Sequence, residues 1–203
     1  MCPTVWFYLA EIYRLQDGNH WVTLSMIADA MGVSLQAASR MVRRMAENGH
    51  IIHEPYQGVR LTAEGEGIAL YMIRRHRILE AYMVSVMRFG WDEVHEMVEL
   101  LERGVDERIV ERMDEMAGFP KRCPHGEPIP NKDGVMPVVE DMPLADWPEK
   151  TPAQVSRVKT HDAEKLRYLA SVKLVPGQPV TVVARSPFNG PVHLEASGER
   201  LVL

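Results

Sequence analysis

The part of the chain that most narrows the fold lies between residues 23 and 61. Thr23 heads a short amphipathic run, Leu24 to Met31, closed by Gly32; Ser34 heads a second, Leu35 to Glu47, stopped at Asn48-Gly49. Two short helices separated only by Met31-Gly32-Val33-Ser34 have the spacing of a helix-turn-helix. Ile51-Ile52-His53-Glu54 and Val59-Arg60-Leu61 follow, parted by Pro55-Tyr56-Gln57-Gly58, which predicts a small hairpin with Gly58 in the turn. Ahead of this block, Val5, Tyr8, Leu9, Ile12 and Leu15 recur at helical spacing, and Asp17-Gly18-Asn19 ends the run. Behind it, Thr62-Ala63-Glu64-Gly65 opens a long helix to about Arg88. Helix, helix-turn-helix, hairpin, long helix is the order of a winged helix-turn-helix domain.

Trp91 to Met116 predicts two further amphipathic helices, broken near Gly104-Val105. Phe119 to Pro152 is rich in proline and glycine and reads as irregular. A short helix at 163–172 precedes strands at Val180–Ala184, Val192–Leu194 and Leu201–Leu203, parted by Ser186-Pro187, Asn189-Gly190 and Ser197-Gly198. Short strands with such turns suggest a small β-barrel. The expected class is mainly α with a small β portion.

Charge is distributed unevenly. The net charge is −5, yet residues 34–77 carry seven arginines against four acidic residues, while residues 78–149 carry 17 acidic against seven basic. A basic, anion-binding segment is therefore followed by one suited to cations or to solvent. No apolar run is long enough to span a bilayer, so no membrane partner is expected. The N-terminus lacks the basic region of a secretory signal, and two cysteines, Cys2 and Cys123, are too few for a disulfide scaffold. Reduced thiols and a cytoplasmic location follow as expectations.

In a helix-turn-helix the second helix enters the major groove, and residues in its N-terminal half reach base edges. Here that helix offers Ser34, Gln36, Ala37, Ser39 and Arg40, with Arg43 and Arg44 beyond. Gln36 suits adenine and Arg40 guanine, the two serines suit phosphates, and Arg60 in the hairpin suits the DNA backbone. The competing reading is a solvated helical hairpin in a protein that never meets DNA. One such head makes few base contacts, so a homodimer on a two-fold symmetric double-stranded operator is expected.

In the acidic half, His95, Glu99 and Glu102 fall at i, i+4 and i+7 on one helix face, and His76 and Glu80 are likewise four apart. If those faces meet, imidazole and carboxylate donors converge. Such a set suits Mn(II), with Fe(II) and Zn(II) less preferred, and grouped carboxylates are relieved by a divalent cation. Acidic helices more often simply face water. Cys123 and His125, one residue apart in a loop, complete a second site only if they lie near Glu80.

These residues together resemble the diphtheria-toxin-repressor family of metal-dependent transcriptional repressors. The likeness runs through Ile27-Ala28 to Gly49, Arg74-Arg75-His76-Arg77-Ile78-Leu79-Glu80, Val94-His95 to Glu102, Cys123-Pro124-His125-Gly126-Glu127-Pro128-Ile129-Pro130 and Leu166-Arg167-Tyr168-Leu169 with Leu174-Val175-Pro176-Gly177. It implies a winged helix-turn-helix DNA-binding domain at 1–63, a helical dimerisation and metal-binding domain at 64–130, a linker at 131–158 and an SH3-like, FeoA-like barrel at 159–203. It also implies a homodimeric repressor that binds its operator when Mn(II) or Fe(II) is loaded. His76, Glu99 and Glu102 match one metal site; Glu80, Cys123 and His125 match another, with Asp162 as the expected carboxylate from the C-terminal part. His95 matches a ligand of the ancillary site of iron-type members. A carboxylate at Glu99, where iron sensors tend to hold a cysteine, implies manganese. The chain departs from the pattern at Phe7, Ala10 and Arg103, where the family supplies further ligands; Glu11 is offset by one. The expected function is a manganese-responsive repressor of metal-uptake genes, in which metal fixes the spacing of two recognition helices, and no enzymatic activity. The alternatives are an iron-dependent repressor, a winged-helix regulator of a small organic ligand, and a metallo-hydrolase using the same cluster.

Overall fold

The computed structural model describes residues 3–16, 20–188 and 190–203. Cys2 and the breaks assigned to Asp17-Gly18-Asn19 and Asn189 lie outside the described residues. Element order is α1 (Pro3–Leu15), α2 (Leu24–Ala30), α3 (Leu35–Glu47), β1 (Ile51–Glu54), β2 (Gly58–Leu61), α4 (Ala63–Ser85), α5 (Val94–Leu101), α6 (Glu107–Met116), β3 (Pro152–Gln154), α7 (Ala163–Ser171), β4 (Pro179–Arg185), β5 (Val192–Ala196) and β6 (Glu199–Val202). The chain divides into two compact units, residues 1–75 with 130–136, and residues 76–129 with 137–203.

In the first unit the capping residues act as the sequence predicts. Thr23 accepts the Met26 N–H and Ser34 the Ala37 N–H, both at 3.3 Å, giving α2 and α3 defined starts. Val5, Tyr8, Leu9 and Ile12 of α1 are buried with Ile27, Ala38, Val42 and Met45, so the apolar stripes of three helices close one core. β1 and β2 form the antiparallel wing with Ile51 opposite Leu61 and Glu54 opposite Gly58, and Val22 bridges to Val59 beside it. Gly58 has φ +129°, and a Cβ there would stand 2.3 Å from the Val22 carbonyl oxygen. The wing turn therefore demands glycine for space as well as for conformation. Thr62 opens α4 by accepting the Gly65 N–H at 3.1 Å while donating to the Gly49 carbonyl at 2.8 Å.

In the second unit, Ile78, Leu79, Val94, Val98, Val110 and Ile129 form a helical core. α4 stops at Ser85, short of Arg88, whose φ of +67° is not helical. Asp106 caps α6 by accepting the Arg108 N–H. Further along, β3, β4, β5 and β6 pair in sequence order as an antiparallel sheet over Leu174, Val180, Val182, Leu194 and Ala196, against which Leu144 and Trp147 pack. β3 lies where an irregular stretch is expected; three residues including a proline carry no periodicity, and pairing with β4 alone makes them a strand. β4, β5 and β6 each begin earlier or run longer than their apolar residues suggest, because ladder hydrogen bonds extend over polar positions.

Candidate metal centre and nucleic-acid interface

The metal-type side chains all belong to the second unit. His76 and Glu80 lie one turn apart on α4, so both side chains fall on one face. His95 is in the first turn of α5, and Glu102 follows the helix as its C-cap. Cys123 and His125 come from a tight loop closed by the Arg122–Pro128 bridge, with Gly126 donating to the Cys123 carbonyl at 2.9 Å. Gly126 sits at φ +87°, and a Cβ would lie 2.2 Å from the Ser156 carbonyl oxygen, so this loop closes on the 156–158 segment only with glycine there. Val158 N–H then bonds the His125 carbonyl at 2.9 Å, three residues before His161.

Three donor atoms meet in a near-equilateral triangle. His76 Nε2 stands 3.1 Å from Glu80 Oε1 and 3.1 Å from His95 Nδ1, and His95 Nδ1 is 3.1 Å from Glu80 Oε1. His76 Nδ1 faces Glu102 Oε2 at 3.0 Å. The second oxygen of Glu80 faces His125 Nδ1 at 3.6 Å, while His125 Nε2 donates to the Trp91 carbonyl at 2.8 Å. The His161 ring stacks on His95 with centroids 3.9 Å apart and planes 2° from parallel. Among the described residues two groups emerge, His76–Glu80–His95 and Glu80–His125–His161, the donor atoms within each lying within 4.8 Å of one another. His76, Glu80, Glu102 and His125 are all buried.

Electrostatics bind this cluster. Burial alone would pull the His76 pKa down; the charge of Glu80, with the hydrogen bonds that His76 donates to Glu102 and Glu80, outweighs it and raises it to about 9. Burial would raise Glu80, but the His76 charge and hydrogen bonds from His125, His76 and His95 hold its carboxyl well below the usual range. His125 is likewise raised, its burial outweighed by Glu80. Burial, reinforced by the Glu80 charge, pushes the Cys123 thiol up, so it remains protonated at neutral pH.

Donor chemistry and spacing both suit a divalent cation. An octahedral ion with bonds of about 2.1 Å holds neighbouring donors ~3.0 Å apart, and the triangle here has sides of 3.1 Å. Imidazole nitrogen with ionised carboxylate is a set that first-row divalent ions accept.

The remaining expected ligands are placed differently. Glu99 is exposed and reaches only as far as His95 Nε2, at 3.5 Å. Cys123 Sγ lies 3.9 Å from His125 Nδ1. Asp162 is the N-cap of α7, accepting the Lys165 N–H at 3.0 Å. Its neighbour His161 enters the cluster instead, and the sequence reading passed over it. An aspartate three residues before Lys165 at a helix start is a capping signal, which would have directed attention to the residue before it.

On the first unit, Gln36, Arg40 and Arg43 stand exposed on α3, with Ser34 exposed at its head. Leu24, Leu35, Gln36, Ser39 and Arg40 line a shallow surface groove between α2 and α3. Ala37 and Ser39 are half-buried, and Arg60 lies over the Trp21 ring at 4.4 Å. That cation–π contact holds Arg60 on the wing.

A winged helix-turn-helix with an arginine-bearing reading helix, and a helical segment that gathers buried imidazoles around a carboxylate, define a metal-responsive DNA-binding regulator. Comparison with known proteins gives the family. Residues 4–59 match the iron dependent repressor N-terminal DNA binding domain, residues 62–131 the iron dependent repressor metal binding and dimerisation domain, and residues 142–203 the FeoA domain. A manganese-dependent transcriptional repressor solved in complex with manganese is 35% identical with TM-score 0.92, covering 98% of this chain and 94% of that one. ScaR with bound Cd2+ is 29% identical with TM-score 0.85, over 99% and 94% of the two chains. The iron-dependent repressor IdeR of Mycobacterium tuberculosis is 27% identical over 194 residues, 90% of this chain and 84% of that protein. The chain belongs to the diphtheria-toxin-repressor family. It is a metal-dependent transcriptional repressor, a homodimer that binds DNA and a divalent metal, and not an enzyme. Among the described residues no helix is long and apolar enough to cross a membrane.

Proposed function

We propose that this repressor answers to Mn(II) and controls genes of metal uptake from the cytoplasm. The observation that carries the reading is the buried triangle of His76 Nε2, Glu80 Oε1 and His95 Nδ1, all nitrogen and oxygen. A carboxylate with no thiolate in the set admits Mn(II), while the two imidazoles suit Fe(II) as well. The likeness to a repressor solved with manganese supports the same choice. His76, Glu80 and His95 are the proposed core ligands, with Glu99, Glu102, Cys123, His125 and Asp162 as further family-matched positions. When bound, the ion supplies positive charge that Glu80 otherwise draws from protonated His76.

Glu80 and His76 ride on α4, which begins two residues after wing strand β2 ends, so the ligand positions are continuous with the reading head. Coupling requires that the DNA-competent form bind metal more tightly, and linkage then makes operator and metal each strengthen the other. Gln36, Arg40, Ser39 and Ala37 are the proposed base-reading group, with Ser34, Arg43 and Arg60 on the backbone. The domain limits 1–63, 64–130, 131–158 and 159–203, and closure of the C-terminal sheet into an SH3-like barrel, belong to the same proposal. Iron is the second reading, favoured by the likeness to IdeR.

Gel-shift titration on promoter duplexes of metal-uptake genes tests this, with Mn(II), anaerobic Fe(II) and EDTA as arms. Retardation at lower Mn(II) than Fe(II), reversed by EDTA, is expected. Binding that ignores chelation removes metal control, and a lower threshold for Fe(II) gives the iron reading.

A further inference from the structure

The chain passes between its two units at three places: within α4 at Arg75–His76, after Ile129 and after Met136. Residues 130–136 thus form a short strap that belongs to the reading-head unit, yet they follow directly on the loop that presents His125. The strap is anchored at both ends. Arg74 Nη1 donates to the Pro130 carbonyl at 2.7 Å, and Met136 packs against the cluster of Ala10, Met72 and Ile73 where α1 meets α4. Between these ends the strap closes on itself. Asn131 Oδ1 accepts the Asp133 N–H at 3.0 Å and the Val135 N–H at 2.8 Å, while the Asn131 N–H donates to the Val135 carbonyl at 3.0 Å. Just before it, Arg77 Nη1 donates to the Pro128 carbonyl at 2.6 Å. Arg74 and Arg77 lie one turn apart on α4, so they pin two points of the buried Pro128-Ile129-Pro130 stretch. Rings lock φ at Pro128 and Pro130, and again at Pro137 where the strap ends, so the chain here has few ways to flex.

We propose that the 130–136 strap is a coupling device: it carries the position of the His125 loop to α1, so that the reading head senses metal loading by a path separate from α4. This rests on the metal-responsive reading above and adds its regulation. A unit hung on one helix can bend or turn where that helix begins. A second attachment away from the helix axis removes that freedom, provided the attachment is stiff. The strap's internal hydrogen bonds and flanking prolines meet that condition. Loading that fixes the 123–129 loop fixes Pro130 with it, and Met136 passes the restraint to α1 beside Ala10. On the other side of α1, Leu9 and Ile12 sit in the core shared with α2 and α3, so restraint of α1 is restraint of the reading helix. Neither Asn131 nor Met136 is among the proposed metal ligands or DNA contacts. The coupling free energy can therefore be altered while both sites stay as they are.

The test compares the full-length wild type with Met136→Ala and Asn131→Ala, using Mn(II) as the added metal. The deciding quantity is the ratio of operator affinity at saturating Mn(II) to operator affinity in EDTA. Each variant should lower this ratio by about 3- to 30-fold. Mn(II) affinity without DNA, read by calorimetry, should stay within about twofold of wild type. Hydrogen exchange read by mass spectrometry gives a second signal. Mn(II) should slow the amides of both 123–129 and α1 in the wild type, and those of 123–129 alone in the variants. An unchanged ratio, α1 protection retained in the variants, or Mn(II) affinity falling in step with the ratio would overturn the strap's role. If Met136→Ala fails to fold, Asn131→Ala, at an exposed position, decides. Any of these results with Mn(II)-dependent operator binding intact in the wild type leaves the proposed function standing. A wild type that ignores Mn(II) but answers Fe(II) overturns the manganese reading, and the same variants read with Fe(II) then decide the strap. Operator binding indifferent to both ions overturns both.

Discussion

Metal loading should release a proton from His76, and its pH dependence follows from the geometry around that ring. His76 is buried against Glu80 and Glu102, which raise its pKa to about 9, so at neutral pH it carries a proton on both nitrogens. The nitrogen facing Glu80 and His95 cannot hold both that proton and a metal. Glu80, held well below the usual carboxylate range, has no proton to lose. The sign follows directly. The proton competes with the ion wherever pH is below the His76 pKa, so affinity rises with pH and levels off above it. With a pKa of about 9, neutral pH lies roughly two units below, a penalty on the order of 100-fold in affinity. The slope should be about tenfold per pH unit. Calorimetric Mn(II) titrations at several pH values, each in buffers of different ionisation enthalpy, read affinity and proton release together. Glu102→Gln removes one of the groups that raise His76, so the plateau should begin at lower pH. Affinity that is flat between about pH 7 and pH 8.5, with no proton released, would refute the assignment of His76 as a protonated ligand.

Three further outcomes follow from geometry already described. Arg40→Ala should weaken binding to the specific operator by ~1–3 kcal/mol while leaving non-specific binding nearly unchanged, measured by competition with mismatched duplexes. Leu9→Ala empties a position with 0% exposure between α1 and the helix-turn-helix and should cost ~2–5 kcal/mol in urea unfolding; a loss below half of the lower figure would contradict the packing. Gly126→Ala must push a Cβ into the Ser156 carbonyl at a φ of +87°, so it should lower both stability and Mn(II) affinity; unchanged affinity would detach that loop from the site.

What could be foreseen from the sequence is what local rules govern. Thr23 and Ser34 announce helix starts because capping involves residues three apart, and the limits of α3 and β1 follow at once. The pairing of His76 with Glu80 is equally legible, since one helical turn separates them. The shared face assigned to His95, Glu99 and Glu102 is only partly realised: α5 ends at Leu101, so Glu102 turns toward His76 while Glu99 stays exposed. β3 and the entry of His161 depend on partners tens of residues away, which no local period records. Asp162 illustrates the same limit, because its carboxylate is occupied by the backbone of α7.

The stack of His161 on His95 also bears on how such a gene can be shortened. A protein ending before His161 would keep the reading head, the wing and the helices α4 to α6, yet α5 would lose the aromatic surface beneath His95. Deleting this C-terminal part is therefore not the removal of an appendage. A viable short form would need a new side chain to shield His95 from water, so compensating changes belong on α5 or in the loop before it.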